Sequence, residues 1–582
     1  MAITPKDHPA DTVAAKRSLL LMSILAVATG MIAGTGAWAF RMMIGFVHNG
    51  LFLGDFSFHY DANAHTPASP WGWGVVLAPV AGSLVVAWLV KNFAPEAKGH
   101  GVPEVMDAIY YNNGLIRPRV AIIKSLASAI SIGSGGSVGR EGPIVQIGSA
   151  FGSSLGQFIR MPAGDRITLI AAGAGAGIAA TFNAPLGGVA FAIELLLVSI
   201  TARNLLVVAI TTVVATFIGH LLMGTEPSFY IPALEVPDFD LFQPLALTLF
   251  LLLGGLMGLL SVIFIRGLYG MEDVFDAIPG NYYTRHALGM LCVGVMIYLL
   301  YRFAGHYYVQ GVGYATVMDV LYGRLTEPWF LLLLLGLKLL ATWLSLGSGA
   351  SGGVFSPALF VGATGGALFG HGCHALLPGL QVDIATFAIA GMAATIAGST
   401  GAVLTGIIML AEMTQDHRVM LPLIITTSMA YAVRKTLMEE SIYSMKLIAR
   451  GHNVPEGFQR PFVAAQRVGD VMMKNFVVIP AGGPAPTGRM IGIVAADGLI
   501  AGVIPPPAAA DSNATTAVVP THAYVLVSER DPLLKALQTM AAAEAAVMLV
   551  STNSESRKAE NIVGVVNLAR VAQLLKQVEG IS

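Results

Sequence analysis

Four long apolar runs decide most of what this chain can fold into. They are SLLLMSILAVATGMIAGTGAWAF (Ser18 to Phe40), WGWGVVLAPVAGSLVVAWLV (Trp71 to Val90), PLALTLFLLLGGLMGLLSVIFI (Pro244 to Ile265) and FLLLLLGLKLLATWLSL (Phe330 to Leu346). Each approaches or exceeds the roughly 18–20 residues that cross a hydrocarbon core. One such run alone reads as a buried core helix, but so many in one chain do not. Only 12% of the 582 residues are charged, about half the share of a soluble domain. The chain is therefore a multi-pass membrane protein. The first run is too long for a signal-peptide core, has no clean small-residue cleavage pattern and is followed by further spans. Lys16 and Arg17 just before it predict a cytoplasmic N-terminus. The net charge of −1 gives no basic footprint for nucleic acid. Cys292 and Cys373 both lie in apolar stretches, so they form neither a disulfide framework nor a metal-ligand pattern.

After about residue 450 runs of membrane length stop, and short β-branched stretches alternate with helical ones, as in YVLVSERDPLLKALQTMAAAEAAVMLVS. This tail reads as a small α/β domain on the cytoplasmic side. The organisation expected is a segment 1–17, a membrane domain 18–450 and a cytoplasmic domain 451–582.

The membrane part repeats itself. GSGGSVGREGP (Gly133 to Pro143) has a sister in GSGASGGVFSP (Gly347 to Pro357), 214 residues on. Upstream, GHGVPEVMDAI (Gly99 to Ile109) matches GVGYATVMDVL (Gly311 to Leu321). Downstream, APLGGVAFAIE (Ala184 to Glu194) matches AVLTGIIMLAE (Ala402 to Glu412). Three blocks in the same order at nearly one offset mark two homologous halves, roughly 18–220 and 240–450. Duplicated halves with glycine-interrupted segments are the sequence sign of a transporter site near the midplane. The segments IVQIGSAFGSSLGQF and PALFVGATGGALFG are short, which implies helices that stop inside the protein, facing a cavity rather than lipid.

Each sister motif reads as a loop that ends in a helix start. Pro143 and Pro357 suit a first helical turn, and the glycines before them allow tight turns and close approach. A helix N-terminus offers unpaired N–H groups and about half a positive charge, an anion site that needs no side chain. Two such ends aimed at one spot would hold a small monovalent anion weakly enough to release it. Glu141 stands in the first turn of one of them. Its carboxylate would imitate the bound anion and, once protonated, would vacate the site, which makes it a pH-dependent gate. As an ionisable residue between membrane spans it is a functional candidate by default.

These residues, together with GGVFSP and the later SIYSMKL, resemble the CLC family of chloride channels and chloride/proton exchangers. The resemblance runs through the whole membrane portion and continues into a C-terminal part similar to a CBS pair. It implies an all-α polytopic fold of two inverted-repeat halves with broken helices, a small cytoplasmic α/β CBS-like domain, a homodimer, and one anion pathway per subunit. It also implies a bacterial inner membrane location with both termini cytoplasmic. Glu141 falls at the family's gating glutamate. Val354 and Phe355 match positions whose backbone amides hold the anion, and Tyr443 matches a tyrosine whose hydroxyl contacts it. Gly139, Arg140, Gly142 and Gly353 flank these positions and join the anion-binding set.

Two departures from the family pattern stand out. The family's GSGIP-type motif reads GHGVP here, so His100 replaces the anion-contacting serine. A histidine donates a hydrogen bond when neutral and a charge when protonated. Chloride is expected, with nitrate and fluoride open as alternatives. The second departure is in FAIELLL: Glu194 is present, but Leu195 stands where similar exchangers carry an internal proton-transfer glutamate. Leucine carries no proton, so the sequence points to channel-like or uncoupled chloride transport, with proton-coupled exchange as the alternative. A remote third reading is an intramembrane serine protease using Ser356 and a histidine such as His371. In the tail, Asn567 and Arg570 stand where nucleotide-binding CBS units carry threonine or serine and then aspartate. No cofactor is therefore expected, and the CBS-like unit has a packing or dimer-stabilising role, with adenine nucleotide as the weaker alternative.

Overall fold

The structure is a computed structural model that describes residues 18–225, 244–452, 454, 467–481, 490–504, 524–552, 556–567 and 570. Lys16, Arg17 and most of the glycine- and proline-rich stretch after Pro480 lie outside the described residues.

The described membrane residues form two sets of eight α-helices in matching order. The first set is α1 (Leu19–His48), α2 (Leu77–Phe93), α3 (Val102–Tyr110), α4 (Pro118–Gly133), α5 (Glu141–Phe158), α6 (Ala163–Phe182), α7 (Pro185–Phe191) and α8 (Ala202–Met223). The second is α9 (Pro244–Ala277), α10 (Tyr282–Ala304), α11 (Tyr314–Leu321), α12 (Pro328–Ser348), α13 (Phe355–Leu376), α14 (Ile384–Thr400), α15 (Val403–Thr414) and α16 (Met420–Leu437). A short α17 (Ser444–Ile448) follows. Local signals start many of them. The Ser18 hydroxyl caps α1 through the Leu21 amide, prolines open α4 and α12, and Asn281 with Thr284 makes a capping box on α10.

Among the described residues six helical stretches are long and apolar enough to cross a membrane, and the four long runs fall on four of them. α5, α6, α13 and α14 are instead buried along most of their length. Small residues let these inner helices pack backbone against backbone. Gly148 of α5 faces Gly173 of α6, and at the equivalent place Gly362 of α13 faces Gly391 of α14. A Cβ on any of the four would collide with the facing carbonyl oxygen.

The tail, taken by itself, also repeats. After α18 (Val468–Val471), one three-stranded sheet holds β1 (Phe476–Pro480), β2 (Ile491–Ala496) and β3 (Leu499–Ile504). Another holds β4 (Tyr524–Ser528), β5 (Val547–Ser551) and β6 (Ile562–Asn567), with α19 (Leu533–Ala542) between β4 and β5. In both, the first pair is parallel, the second antiparallel, and the register slips near the end of the middle strand. The α19 crossover is what a parallel pair needs. β5 is buried along its whole length. Its Met548 and Val550 pack with α19, while Val547 and Leu549 pack with β2 and β3.

The glycine contacts predict a steep steric cost. Gly173→Leu should destabilise the membrane domain by about 1–3 kcal/mol or more, as overpacking does. A lower midpoint in detergent thermal unfolding checks this, and the half-buried Gly255, with open space where a Cβ would go, should tolerate alanine.

Candidate anion site and gate

The loops ahead of α5 and α13 meet at equivalent residues. The Gly139 amide donates to the Gly353 carbonyl at 2.7 Å, and the Gly353 amide donates back to the Gly139 carbonyl at 2.6 Å. Residues 214 positions apart that pair reciprocally must sit on the two-fold axis relating their halves. In this arrangement the Gly139 and Gly353 amides are engaged with each other. Both positions need glycine for space. A Cβ on Gly139 would strike the Glu141 carboxylate, and one on Gly353 would lie 2.8 Å from the Gly142 nitrogen.

From this pair the two helices begin at matching positions, α5 at Glu141 and α13 at Phe355, with Arg140 and Val354 as the preceding cap residues. Glu141 is 1% exposed and Phe355 2%, so both helices start inside the protein. First-turn amides have no partner within their own helix, and that of Ser356 faces the site. The Glu141 carboxylate takes that place. Its Oε2 accepts the Ser356 amide at 3.2 Å, and its Oε1 accepts the Tyr314 hydroxyl at 2.6 Å and the Ser356 hydroxyl. The carboxylate of one half is bound at the helix N-terminus of the other, as an anion would be.

Arg140 is buried, with its guanidinium carbon 5.1 Å from the centre of the Tyr314 ring. Gly142 packs against the His100 carbonyl, which fixes the start of α3 beside α5. The His100 side chain is buried too, with Nε2 3.3 Å from the Ile442 carbonyl oxygen and 3.4 Å from the Tyr269 hydroxyl. Its ring is stacked on Tyr443, centroids 6.0 Å apart. His100 and Tyr443 therefore share one place, Glu141 and Phe355 another. Phe355 rests against Phe182 at the end of α6, centroids 5.7 Å apart.

Two buried lysines complete the electrostatics. Lys124 on α4 donates to the Ala97 and Gly99 carbonyls at 3.0 and 2.6 Å. Lys338 on α12 donates to the Val309 and Gly311 carbonyls at 3.2 and 2.9 Å. Neither lysine is exposed. Each braces the turn that opens α3 or α11. Sequence reasoning missed both, although they stand 214 residues apart, the offset of the sister motifs. It also missed Tyr314, whose role depends on a contact across 173 residues.

Glu194 has a structural task. Its carboxylate accepts the Leu404 and Thr405 amides at 3.0 and 2.9 Å, and the Thr405 hydroxyl at 2.9 Å. Its equivalent Glu412 accepts the Leu186 and Gly187 amides at 3.1 and 2.9 Å. Each glutamate thus caps the short helix of the opposite half. Leu195 is buried in the turn after α7. The protease arrangement does not form: Ser356 and His371 lie on the same helix, roughly 22 Å apart along its axis.

Inward-starting helices, a two-fold loop pair and a carboxylate seated as an anion define the class of polytopic anion transporters. The model of the voltage gated chloride channel family matches residues 82–435, and the chain belongs to that family, the CLC proteins. It is 36% identical over 384 residues to the H(+)/Cl(-) exchange transporter ClcA of Vibrio vulnificus, covering 64% of this chain and 79% of that one. Among solved structures it resembles a slow cyanobacterial Cl-/H+ antiporter, at a TM-score of 0.65 and 27% identity, covering 75% of this chain and 99% of that one. A eukaryotic CLC transporter shares the fold at a TM-score of 0.62 and 20% identity, covering 94% of this chain and 97% of that one. The fold is therefore the expected helical, inverted-repeat CLC fold, and its activity is anion transport.

The capping geometry gives a test for Glu194. Glu194→Gln should lower the thermal midpoint, since hydrogen bonds to a charged group contribute about 1.5–3 kcal/mol. It should leave the pH profile of anion flux unchanged. A shifted profile would move Glu194 from the scaffold to the proton route.

Proposed function

We propose that the protein exchanges chloride for protons across a bacterial inner membrane, with Glu141 as the gate. The observation that carries this reading is the Glu141 carboxylate bound between the N-termini of α5 and α13. Ionised, it fills the place of an anion. Protonated, it loses both its charge and part of its acceptor capacity, and it leaves the site to chloride. One group then couples the two ions. The exchange activity of the ClcA relative and the antiporter title of the cyanobacterial structure support this choice over the channel-like reading drawn from Leu195.

Val354 and Phe355 are assigned to the anion through their first-turn amides, and Gly142 through the matching turn of α5. Tyr443 and His100 line the next position along the pathway. Arg140, Lys338 and Lys124 supply a positive potential that favours an anion without touching it.

A second reading, uncoupled chloride flux, is favoured by one observation. Leu195 carries no proton, and its neighbour Glu194 is held as a helix cap. Chloride-driven proton movement in proteoliposomes separates the two: a fixed stoichiometry supports exchange, and chloride flux without proton movement supports the channel reading.

The proposal includes a homodimer. α7 and α15 are too short to span the membrane, and they border an apolar groove lined by Leu186, Val189, Ile193, Leu404, Ile408 and Met420. Light scattering in detergent should give twice the subunit mass after subtraction of the micelle. The tail is assigned to a CBS-like pair whose first unit is truncated: the stretch after Pro480, most of it outside the described residues, is too rich in glycine and proline for the expected helix. The Asn567 side-chain oxygen accepts the Arg570 amide at 2.9 Å, which favours a packing role over nucleotide binding.

Glu141→Gln should abolish most of the pH dependence of flux while anion movement persists. Persistent pH dependence in that variant would move the gate elsewhere. His100→Ser should change the relative rates of chloride, nitrate and fluoride in the same flux assay, because it replaces an imidazole by a hydroxyl at the pathway. Unchanged ratios would remove His100 from the anion's path.

A further inference from the structure

The side-chain donors on Glu141 reach beyond a simple gate. Backbone amides at a helix start would suffice to hold a carboxylate, yet here two hydroxyls converge on the same oxygen. The Tyr314 hydroxyl lies 2.6 Å from Oε1 of Glu141 and 2.8 Å from Oγ of Ser356, and the Ser356 hydroxyl also reaches Oε1. Tyr314 and Ser356 are both fully buried, so water does not compete for these bonds.

The position of Tyr314 is held from several sides. It is the first residue of α11, and its predecessor Gly313 has φ of 81°, a left-handed conformation that favours glycine. A Cβ on Gly313 would stand 2.7 Å from the Phe360 ring and 3.1 Å from Nζ of Lys338. Arg140 lies against the face of the phenol, a cation–π contact that fixes its plane. At the far end of α11, Asp319 pairs with His65 at 2.6 Å and with Arg324 at 3.1 Å.

We propose that Tyr314 and Ser356 form a hydroxyl latch that holds the ionised Glu141 in the closed position and sets how readily the gate opens. This rests on the gating reading of Glu141 given above. Each hydroxyl has one proton to donate, and an ionised carboxylate accepts both. Protonation of Glu141 removes acceptor capacity and leaves a hydroxyl proton without its partner, so the same event that discharges the gate undoes the latch. The other charged and titratable groups around the carboxylate are Arg140, Lys338 and Tyr443. They remain in place when Tyr314 loses its hydroxyl, so the effect of that loss is separable from theirs. Tyr314 is on this account a positioning residue, acting through Glu141.

The test is chloride flux from proteoliposomes containing the full chain, measured from pH 4.5 to 8. Tyr314→Phe keeps the ring and removes one charge-assisted hydrogen bond. It should raise flux near pH 7.5 roughly ten-fold and move the pH midpoint of activation up by about one unit. Ser356→Ala should shift the midpoint in the same direction, and it serves as the probe if the tyrosine variant does not fold. In a Glu141→Ala background, adding Tyr314→Phe should change nothing, because no carboxylate remains to hold. Wild-type rates and midpoint in both single variants would overturn the latch. So would an undiminished effect of Tyr314→Phe in the Glu141→Ala background. A Glu141→Ala protein that keeps its full pH dependence would instead overturn the gate reading itself, which distinguishes the two failures.

Discussion

Gly139 and Gly353 exchange both of their backbone hydrogen bonds, and the arrangement of the site depends on that pair. Because the two residues are equivalent in the repeat, their contact fixes the relation between the halves at one point. From it α5 and α13 each start two residues later, with their first turns inside the protein. A side chain at either glycine would part the loops and displace the carboxylate between them. The proposed site is thus built largely from backbone, a construction that suits weak and releasable anion binding.

The same reciprocity recurs further out. Glu194 caps α15 and Glu412 caps α7, each across the boundary between halves. Lys124 and Lys338 pin the turns before α3 and α11 by matching pairs of carbonyls. Against this symmetric frame the residues proposed to act in gating are the asymmetric ones. Glu141 stands opposite Phe355, and Tyr314 occupies the position that Val102 holds in the first half. The scaffold uses what the halves share, and the proposed gate uses where they differ.

The proton side follows the same division. In the first half the residue after the capping glutamate is Leu195, so the cap has no acidic neighbour there. Any proton that reaches Glu141 from within arrives without a carboxylate at that position. The activities of the relatives favour exchange all the same, which makes the measured coupling ratio the decisive quantity for this chain.

Hydropathy and the three repeated blocks were enough to show, from sequence, a multi-pass chain of two halves with glycine-broken helices. Helix length in lipid and a fixed offset are one-dimensional properties. The glycine motif with Glu141 was legible for the same reason, since a charge in a membrane break needs an anion-like role. The tertiary structure alone decided who holds that charge. The Tyr314 and Ser356 hydroxyls lie 173 and 215 residues from Glu141, and no local pattern encodes such a contact. It alone showed Glu194 as the cap of a helix in the other half, and the Gly139 and Gly353 amides as partners of each other across the two halves. A backbone N–H can serve one partner, and only the three-dimensional arrangement says which.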